Sequence, residues 1–332
     1  MTDGATIARS TRGRRPARIE YRPAELADLG ACARVWSTAL SDYLGRLGQP
    51  TFEPDLEPIR RLFAHLLETD PERFWVATRP SPDDRPAPGD VGARGERVVG
   101  FTSATVRGDV WFLGMLFVDP AEQATGIGRA LLDRVMAGTE GLRLGTATDS
   151  AQPISNALYA RVGIVPRLPA LHLAGLIERP GAIPPLPAGV EAVGFGAVGP
   201  AELSDAFDRV DGRLLGYTRP ADHAGRAVDG RVGVLFRDAR REPVGYGYTT
   251  RVGRVGPVAA LRPEDLAAFV GHLLGAVKAN GAQTVWVPGA AGHTIQTLLR
   301  AGFRLEPFPA LLCWTRPIAP FDRYVPISLA LP

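Results

Sequence analysis

The chain has 332 residues, 45% of them hydrophobic and 22% charged, with a formal net charge of +3. That length is too great for one average domain and suits two of about 150 residues each, while the composition is ordinary for a globular protein and excludes fibrous and disorder-dominated classes. No run of about 18 apolar residues is present and the first residues lack a basic-then-apolar leader, so no membrane partner and a cytoplasmic location are expected.

Cys32 and Cys313 lie far apart in sequence and have no CxxC or histidine-rich context, so buried packing rather than a disulfide or metal role is expected of both. Apart from Lys278, every lysine-or-arginine position is arginine, a coding preference that does not by itself point to nucleic acid. Arg9, Arg12, Arg14, Arg15 and Arg18 cluster in residues 1–18, read as a disordered basic extension.

Beyond that extension, Ile19 to Leu26 reads as a short strand running into a helix that starts near Pro23 and carries apolar positions at Leu26, Leu29, Leu40, Tyr43 and Leu47. A second helical pattern follows from Leu56 to Glu68, with Ile59, Leu62, Phe63 and Leu66 on one face. Phe74 to Thr78 reads as a strand. Pro80 to Glu96, rich in Pro, Gly and Asp, reads as a flexible hairpin connection. Val98 to Val118 makes a hairpin and Leu142 to Thr148 a further strand. The order is strand, two helices, three strands, loop, helix, strand, helix, strand, which implies an α/β (α+β) mixed sheet with helices on both faces.

The loop after Val118 is the most informative stretch. Asp119 and Pro120 end a strand, and Gln123, Ala124, Thr125, Gly126, Ile127, Gly128 and Arg129 feed into the next helix. Backbone N–H groups turned one way, joined to the unpaired first-turn donors and positive dipole end of a helix, make an anion site. A Cβ at Gly126 or Gly128 would keep a pyrophosphate off the backbone or forbid the angles that turn the amides inward. Glycine ahead of a helix also occurs for purely steric reasons.

The pattern from Val118 through Pro120, Gln123, Gly126, Ile127 and Gly128 to Leu131 and Leu132 resembles the acyl-CoA pyrophosphate signature of the GNAT acetyltransferase superfamily. Ser155, Asn156, Tyr159 and Gly163, in a short helix that a glycine ends, resemble a later element of the same superfamily. The resemblance implies a splay between the fourth and fifth strands that takes pantetheine, and acetyl-CoA as co-substrate with no metal. It implies that backbone N–H groups near Phe117 and Val118 hold the acetyl oxygen, that Gln152 and Asn156 contact the cofactor, and that Tyr159 protonates the departing thiolate. Packing alone is the alternative role for Tyr159. Many relatives place a glutamate four residues before the Val118 position, and this chain has Gly114 there. Asp109, Asp42, Glu53 and His65 are candidate bases by location only.

The plan then repeats. Pro23 to Leu26 recurs as Pro200 to Leu203, the hairpin returns from Pro243 to Leu261, and Gly163 finds its counterpart in Gly302, so two tandem GNAT-like domains are expected. The divisions read as 19–176 for the catalytic domain, 177–189 for a stiff proline-rich linker, 190–316 for a degenerate domain and 317–332 for a C-terminal tail. Leu266 and Phe269 replace Gln123 and Gly126, and Leu298 stands where Tyr159 stands, so the second domain is expected to shape the acceptor cleft or mediate assembly. His272 and His293 lack a matching ligand set, so no metal is expected. The expected reaction is acyl transfer from acetyl-CoA to the amine of a small molecule, because a second domain tends to enclose the acceptor. The alternative is a non-catalytic acyl-CoA-binding or sensing protein. Trp36, Tyr43 and Phe52 are possible cleft walls or core, and oligomeric state is not legible.

Overall fold

The computed structural model describes residues 18–50, 55–80, 92–228 and 230–330. Most of the arginine cluster, Glu53, Phe52 and much of the Pro80 to Glu96 connection lie outside the described residues.

The first half runs β1 (Glu20–Pro23), α1 (Leu29–Arg46), α2 (Glu57–Thr69), β2 (Phe74–Arg79), β3 (Arg97–Arg107), β4 (Val110–Val118), α3 (Ile127–Val135), β5 (Arg143–Asp149), α4 (Pro153–Ala160) and β6 (Val165–Gly175). This is the order read from the sequence. The second half runs β7 (Glu191–Gly194), α5 (Pro200–Leu214), α6 (Pro220–Val228), β8 (Val232–Arg237), β9 (Pro243–Thr249), β10 (Arg254–Ala260), α7 (Leu266–Ala276), β11 (Gln283–Pro288), α8 (Gly292–Ala301), β12 (Arg304–Leu305), β13 (Ala310–Trp314) and β14 (Tyr324–Val325). Asp28 secures the first entry: its buried carboxylate accepts from Arg22 at 2.6 Å and from the amides of Glu25 and Ala93, each at 2.7 Å, just ahead of α1.

The strands form one sheet in the order β1-β2-β3-β4-β5-β13-β6-β11-β10-β9-β8-β7. At its centre the halves exchange strands. β13, from the end of the second half, pairs antiparallel with β5 through Ala310↔Asp149 to Trp314↔Gly145 and with β6 on its other edge. In return the latter part of β6 pairs with β11 from Pro288↔Ala170 to Gln283↔Gly175 and with β12. The divisions at 176 and 190 mark where the sequence repeat turns over, but each half takes a central strand from the other.

Packing follows the exchange. On one sheet face, α1 and α2 cover Phe74, Phe101 and Met115; on the other, α3 and α4, the latter through Tyr159, cover Trp111 and Leu113. A core spanning both halves joins Val110 and Phe112 of β4 to Val210 and Leu214 of α5 and to Leu312, Ile318 and Tyr324. Residues 177–189 dock on the second half, where Ile183 lies so close to Gly271 that a Cβ there would meet its Cγ2 at 2.3 Å. Nor do the residues after 316 trail free: Ile318, Phe321, Tyr324 and Val325 are buried.

Two polar clusters sit where α6 meets its neighbours. Arg107 at the end of β3 binds Asp70 at 2.9 Å and Asp222 at 2.8 Å, and His65 of α2 reaches the same Asp222 at 3.1 Å. Deeper in the second half, Asp211 binds Arg219 at 3.0 Å, the Tyr246 hydroxyl at 2.5 Å and His223 at 2.9 Å, while Tyr248 lies 2.7 Å from the other His223 nitrogen. Burial pushes the His223 pKa down from 6.5 to about 4.

Because the halves share strands, both should unfold in one transition. Denaturation followed at Trp111 of the first half and Trp286 of the second is expected to give coincident curves, with Leu312→Ala costing about 3 kcal/mol in both; two separated transitions would contradict the exchange. A second expectation concerns acid. Between pH 6.5 and about 4 the unfolded chain binds a proton at His223 that the folded chain refuses. That residue should therefore make stability fall with decreasing pH at up to about 1.4 kcal/mol per unit in this window, a slope that His223→Gln removes.

Candidate functional site

β4 and β5 pair in parallel only from Val110↔Arg143 to Leu113↔Thr146, and the Thr146 hydroxyl ties the vertex by donating to the Leu113 carbonyl at 2.8 Å. Beyond that point the strands diverge. A β-bulge coincides with the vertex: β3 register passes from Ala104↔Leu113 to Ser103↔Met115, leaving Gly114 as the extra residue. Its effect is to swap faces, so that Leu113 packs toward α4 while Met115 packs toward α1 and α2. Asp119 donates its N–H to Val99 at 2.9 Å, and strand alternation then turns the amides of Val118 and Leu116 to the open edge. Phe117 turns its amide toward β3 and its ring onto Phe101, 5.7 Å away, so the open-edge donors are Leu116 and Val118 rather than Phe117 and Val118.

The open edge leads into the loop. The Asp119 side chain accepts from the Ala121 amide at 2.9 Å and starts a short 3-10 turn. Ala124 at φ 62° and Gly126 at φ 90° then turn the backbone through left-handed conformations. The first helical bond of α3 runs from Ala130 to Gly126 at 3.0 Å, so the amides of Ile127, Gly128 and Arg129 have no acceptor within the helix. The Ile127 side chain is buried with Ala77, Val99 and Leu131 and anchors this end. Gly126 is required by its backbone angle, whereas a Cβ at Gly128 would meet only Leu116 and Val118 side chains at 3.8 Å. The surrounding protein thus leaves room at Gly128, and the need for glycine there reduces to the approach of a ligand.

The other side chains divide into ties and open groups. Gln123 donates to the Val118 carbonyl at 3.2 Å and accepts from Arg46 at 3.3 Å, linking α1 to the open edge. Thr125 donates to the Glu122 carbonyl at 2.6 Å, and exposed Arg129 faces Asp133 at 3.6 Å. Asn156 donates to the carbonyls of Asp149 at 3.1 Å and Gln152 at 2.9 Å, which closes the turn from β5 into α4; its buried Oδ1 has no partner among the described residues. Gln152 itself stands at the N-cap of α4. Tyr159 is 5% exposed, beside Trp111, Leu113 and Cys313, and burial pushes its phenol pKa up, which keeps the hydroxyl protonated.

The candidate bases are engaged elsewhere. Asp109 is held by Arg143 at 2.8 and 2.5 Å, an interaction that lowers its pKa; Asp42 pairs with Arg46, and His65 with Asp222. Sequence reasoning missed Asp149, which ends β5 beside the Tyr43 hydroxyl; burial and that carboxylate together raise the tyrosine pKa. Only the fold shows that α1 and β5 meet. Among the described residues no cluster of three or more His, Cys, Asp or Glu has the geometry to hold a metal ion, and no helix is long and apolar enough to cross a membrane. Cys32 and Cys313 are buried free thiols.

Residues 46–164 match the sequence profile of the Acetyltransferase (GNAT) family. Among solved structures, a putative acetyltransferase from Pyrococcus horikoshii matches with a TM-score of 0.69 at 16% identity, covering 98% of this chain and 99% of its own. A GCN5-related N-acetyltransferase from Sphaerobacter thermophilus matches at 0.58 and 16% identity, over 96% and 99%. A tandem GNAT protein from the clavulanic acid biosynthesis pathway matches at 0.53 and 18% identity, over 90% and 99%. These matches cover both halves and establish the tandem GNAT-like fold. No curated protein matches the chain.

The two glycines separate conformation from ligand approach. Gly126→Val is expected to distort the loop and weaken CoA binding at least tenfold by calorimetry. Gly128→Ala should leave the fold intact, gain up to about 1 kcal/mol as a helix substitution, and still weaken CoA; unchanged affinity in both variants would remove the loop from the binding site.

Proposed function

We propose that this protein moves an acetyl group from acetyl-CoA to the amine of a small molecule, at the splay between β4 and β5. The observation that carries the reading is the continuity of the splay: two unpaired strand amides lead into a left-handed turn and the free first-turn amides of α3. That path is complementary to pantetheine followed by pyrophosphate. The residues present fit acetyl-CoA, which would supply the reactive thioester.

Opposite faces of the sheet take opposite roles. An amine arriving from the α1 and α2 side attacks the thioester carbon; the Leu116 and Val118 amides stabilise the oxygen as it gains negative charge, each contributing about 3 kcal/mol if preorganised. As the carbon–sulfur bond breaks, Tyr159, on the α3 and α4 face, gives its proton to the thiolate. The proton lost by the new amide nitrogen passes to solvent and restores the phenol. Burial keeps the Tyr159 phenol protonated, so it holds a proton to give.

The second half supports one site per chain. β10 and β11 pair only at Arg254↔Thr284 and Val255↔Val285, so a splay opens there too, but β14 lies along β10 in it through Val258↔Val325 and Ala259↔Tyr324. Leu266 and Phe269, where the first half has its loop residues, are fully buried in α7. A cavity of about 460 Å³ remains between the starts of α7 and α8, yet Glu264 and Asp322 line it and would repel pyrophosphate. The proposed role of this half is to close the acceptor side, which favours a small substrate over a folded protein.

Tyr159→Phe should lower amine-dependent thiol release about a hundredfold and leave the Kd for acetyl-CoA within twofold. Undiminished turnover would take Tyr159 out of the mechanism, and binding without turnover on any amine would favour the sensing alternative.

A further inference from the structure

The two bulges of the sheet are met by one segment of chain. In the second half, β10 shifts register between Val255 and Val258, and a Cβ on Gly256 within that bulge would lie 2.6 Å from the Pro326 carbonyl oxygen. In the first half, a Cβ on Gly114 would lie 2.5 Å from the Ala330 carbonyl oxygen. Both contacts are backbone oxygen against the space of a missing side chain, and neither tolerates a methyl group. The segment after β14 therefore runs as a strap from the filled splay to the open one.

Packing fixes its course. Tyr324 and Val325 are fully buried at its start, Ile327 packs into the core of α1, α2 and Met115, Leu329 packs into the core shared by the two halves, and Ala330 is 8% exposed beside β4. The Ala330 amide donates to the Ser328 hydroxyl at 3.1 Å. No backbone N–H among the described residues donates to the Ala330 carbonyl oxygen. That oxygen faces the Gly114 bulge, where a backbone carbonyl can accept a ligand N–H.

We propose that residues 326–330 form the acceptor subsite of the first half, with the Ala330 carbonyl oxygen receiving one N–H of the attacking amine beside Gly114. The proposal rests on the acyl-transfer reading above and narrows its substrate to an unhindered primary amine. Such an amine, once neutral, gives one N–H to Ala330 and keeps its lone pair for the thioester carbon. The strap lies on the Met115 face and Tyr159 on the opposite one, so nucleophile and proton donor flank the thioester from two sides. The carbonyl positions the amine and takes no proton. Gly114 is thus the place where the second half's backbone replaces a side chain of the first.

Gly114→Ala in the full chain tests this directly, because its Cβ must push the strap away. The expected result is an amine kcat/KM reduced at least tenfold, with the amine KM raised, the acetyl-CoA Kd within twofold of the original protein, and faster hydrogen exchange at 326–330. Transfer within twofold of the original protein, with exchange at the strap accelerated, would overturn the proposal. Should Gly114→Ala fail to fold, Ile327→Ser loosens the strap while every residue of β4 keeps its identity, and the same split between amine kinetics and cofactor affinity is expected. An original protein that binds acetyl-CoA but transfers to no primary amine would instead defeat the transfer reading itself.

Discussion

Everything that positions the site depends on β13 standing between β5 and β6. A strand belonging to the second half completes the first half's sheet, and part of β6 completes the second in return. β5 is thereby hydrogen-bonded along its whole outer edge, so its divergence from β4 is a fixed opening in a continuous sheet rather than a frayed margin. The cost of separating the halves is the loss of four ladders, those of β13 with β5 and β6 and of β6 with β11 and β12, and of a core that contains Val110, Leu214 and Leu312 together. Other cores are shared more lightly: Leu173 packs among second-half residues, and Ala330 and Cys313 pack among first-half ones.

The same frame has been filled in two ways. Each half has a bulge in its second hairpin strand and a parallel pair that splits after a few residues. In the first half the split stays open, and its edge amides run into a helix start whose donors are free. In the second, β14 takes the edge of β10, Phe269 fills the position of the loop glycine, and carboxylates stand where phosphates would need donors. One chain segment performs both jobs, closing the second splay with β14 and reaching the first at Ala330. On the proposed reading, loss of one binding site and construction of the other's acceptor side are parts of a single arrangement.

Much of the first half was legible because its signals are local. Proline at the start of a helix, the apolar spacing of α1 and α2, and a left-handed glycine before α3 each follow from a few neighbouring residues, and the element order came out as read. What was not legible depends on partners far away in the chain. Ala310 to Trp314 reads as an apolar strand, but nothing in those residues says which sheet edge they join. Asp211, His223 and Tyr246 look like surface and packing residues until α5, α6 and β9 bring them together. Asp149 and Tyr43 are separated by two helices and three strands, so their meeting is a property of topology. Gly114 read as an absence, a side chain missing from its usual place; in the fold it is space that another backbone uses. Gly128 went the other way, since the protein itself has room for a methyl there.

The central claim is that a single cofactor site exists per chain and lies in the first half. Equilibrium titration of the full-length protein with acetyl-CoA, with the stoichiometry read from the calorimetric endpoint, tests it most directly. One equivalent per chain, abolished by a substitution confined to the Gly126 turn, is the predicted result. Two equivalents, or one that survives that substitution, would show that the second half binds the cofactor and would contradict the account.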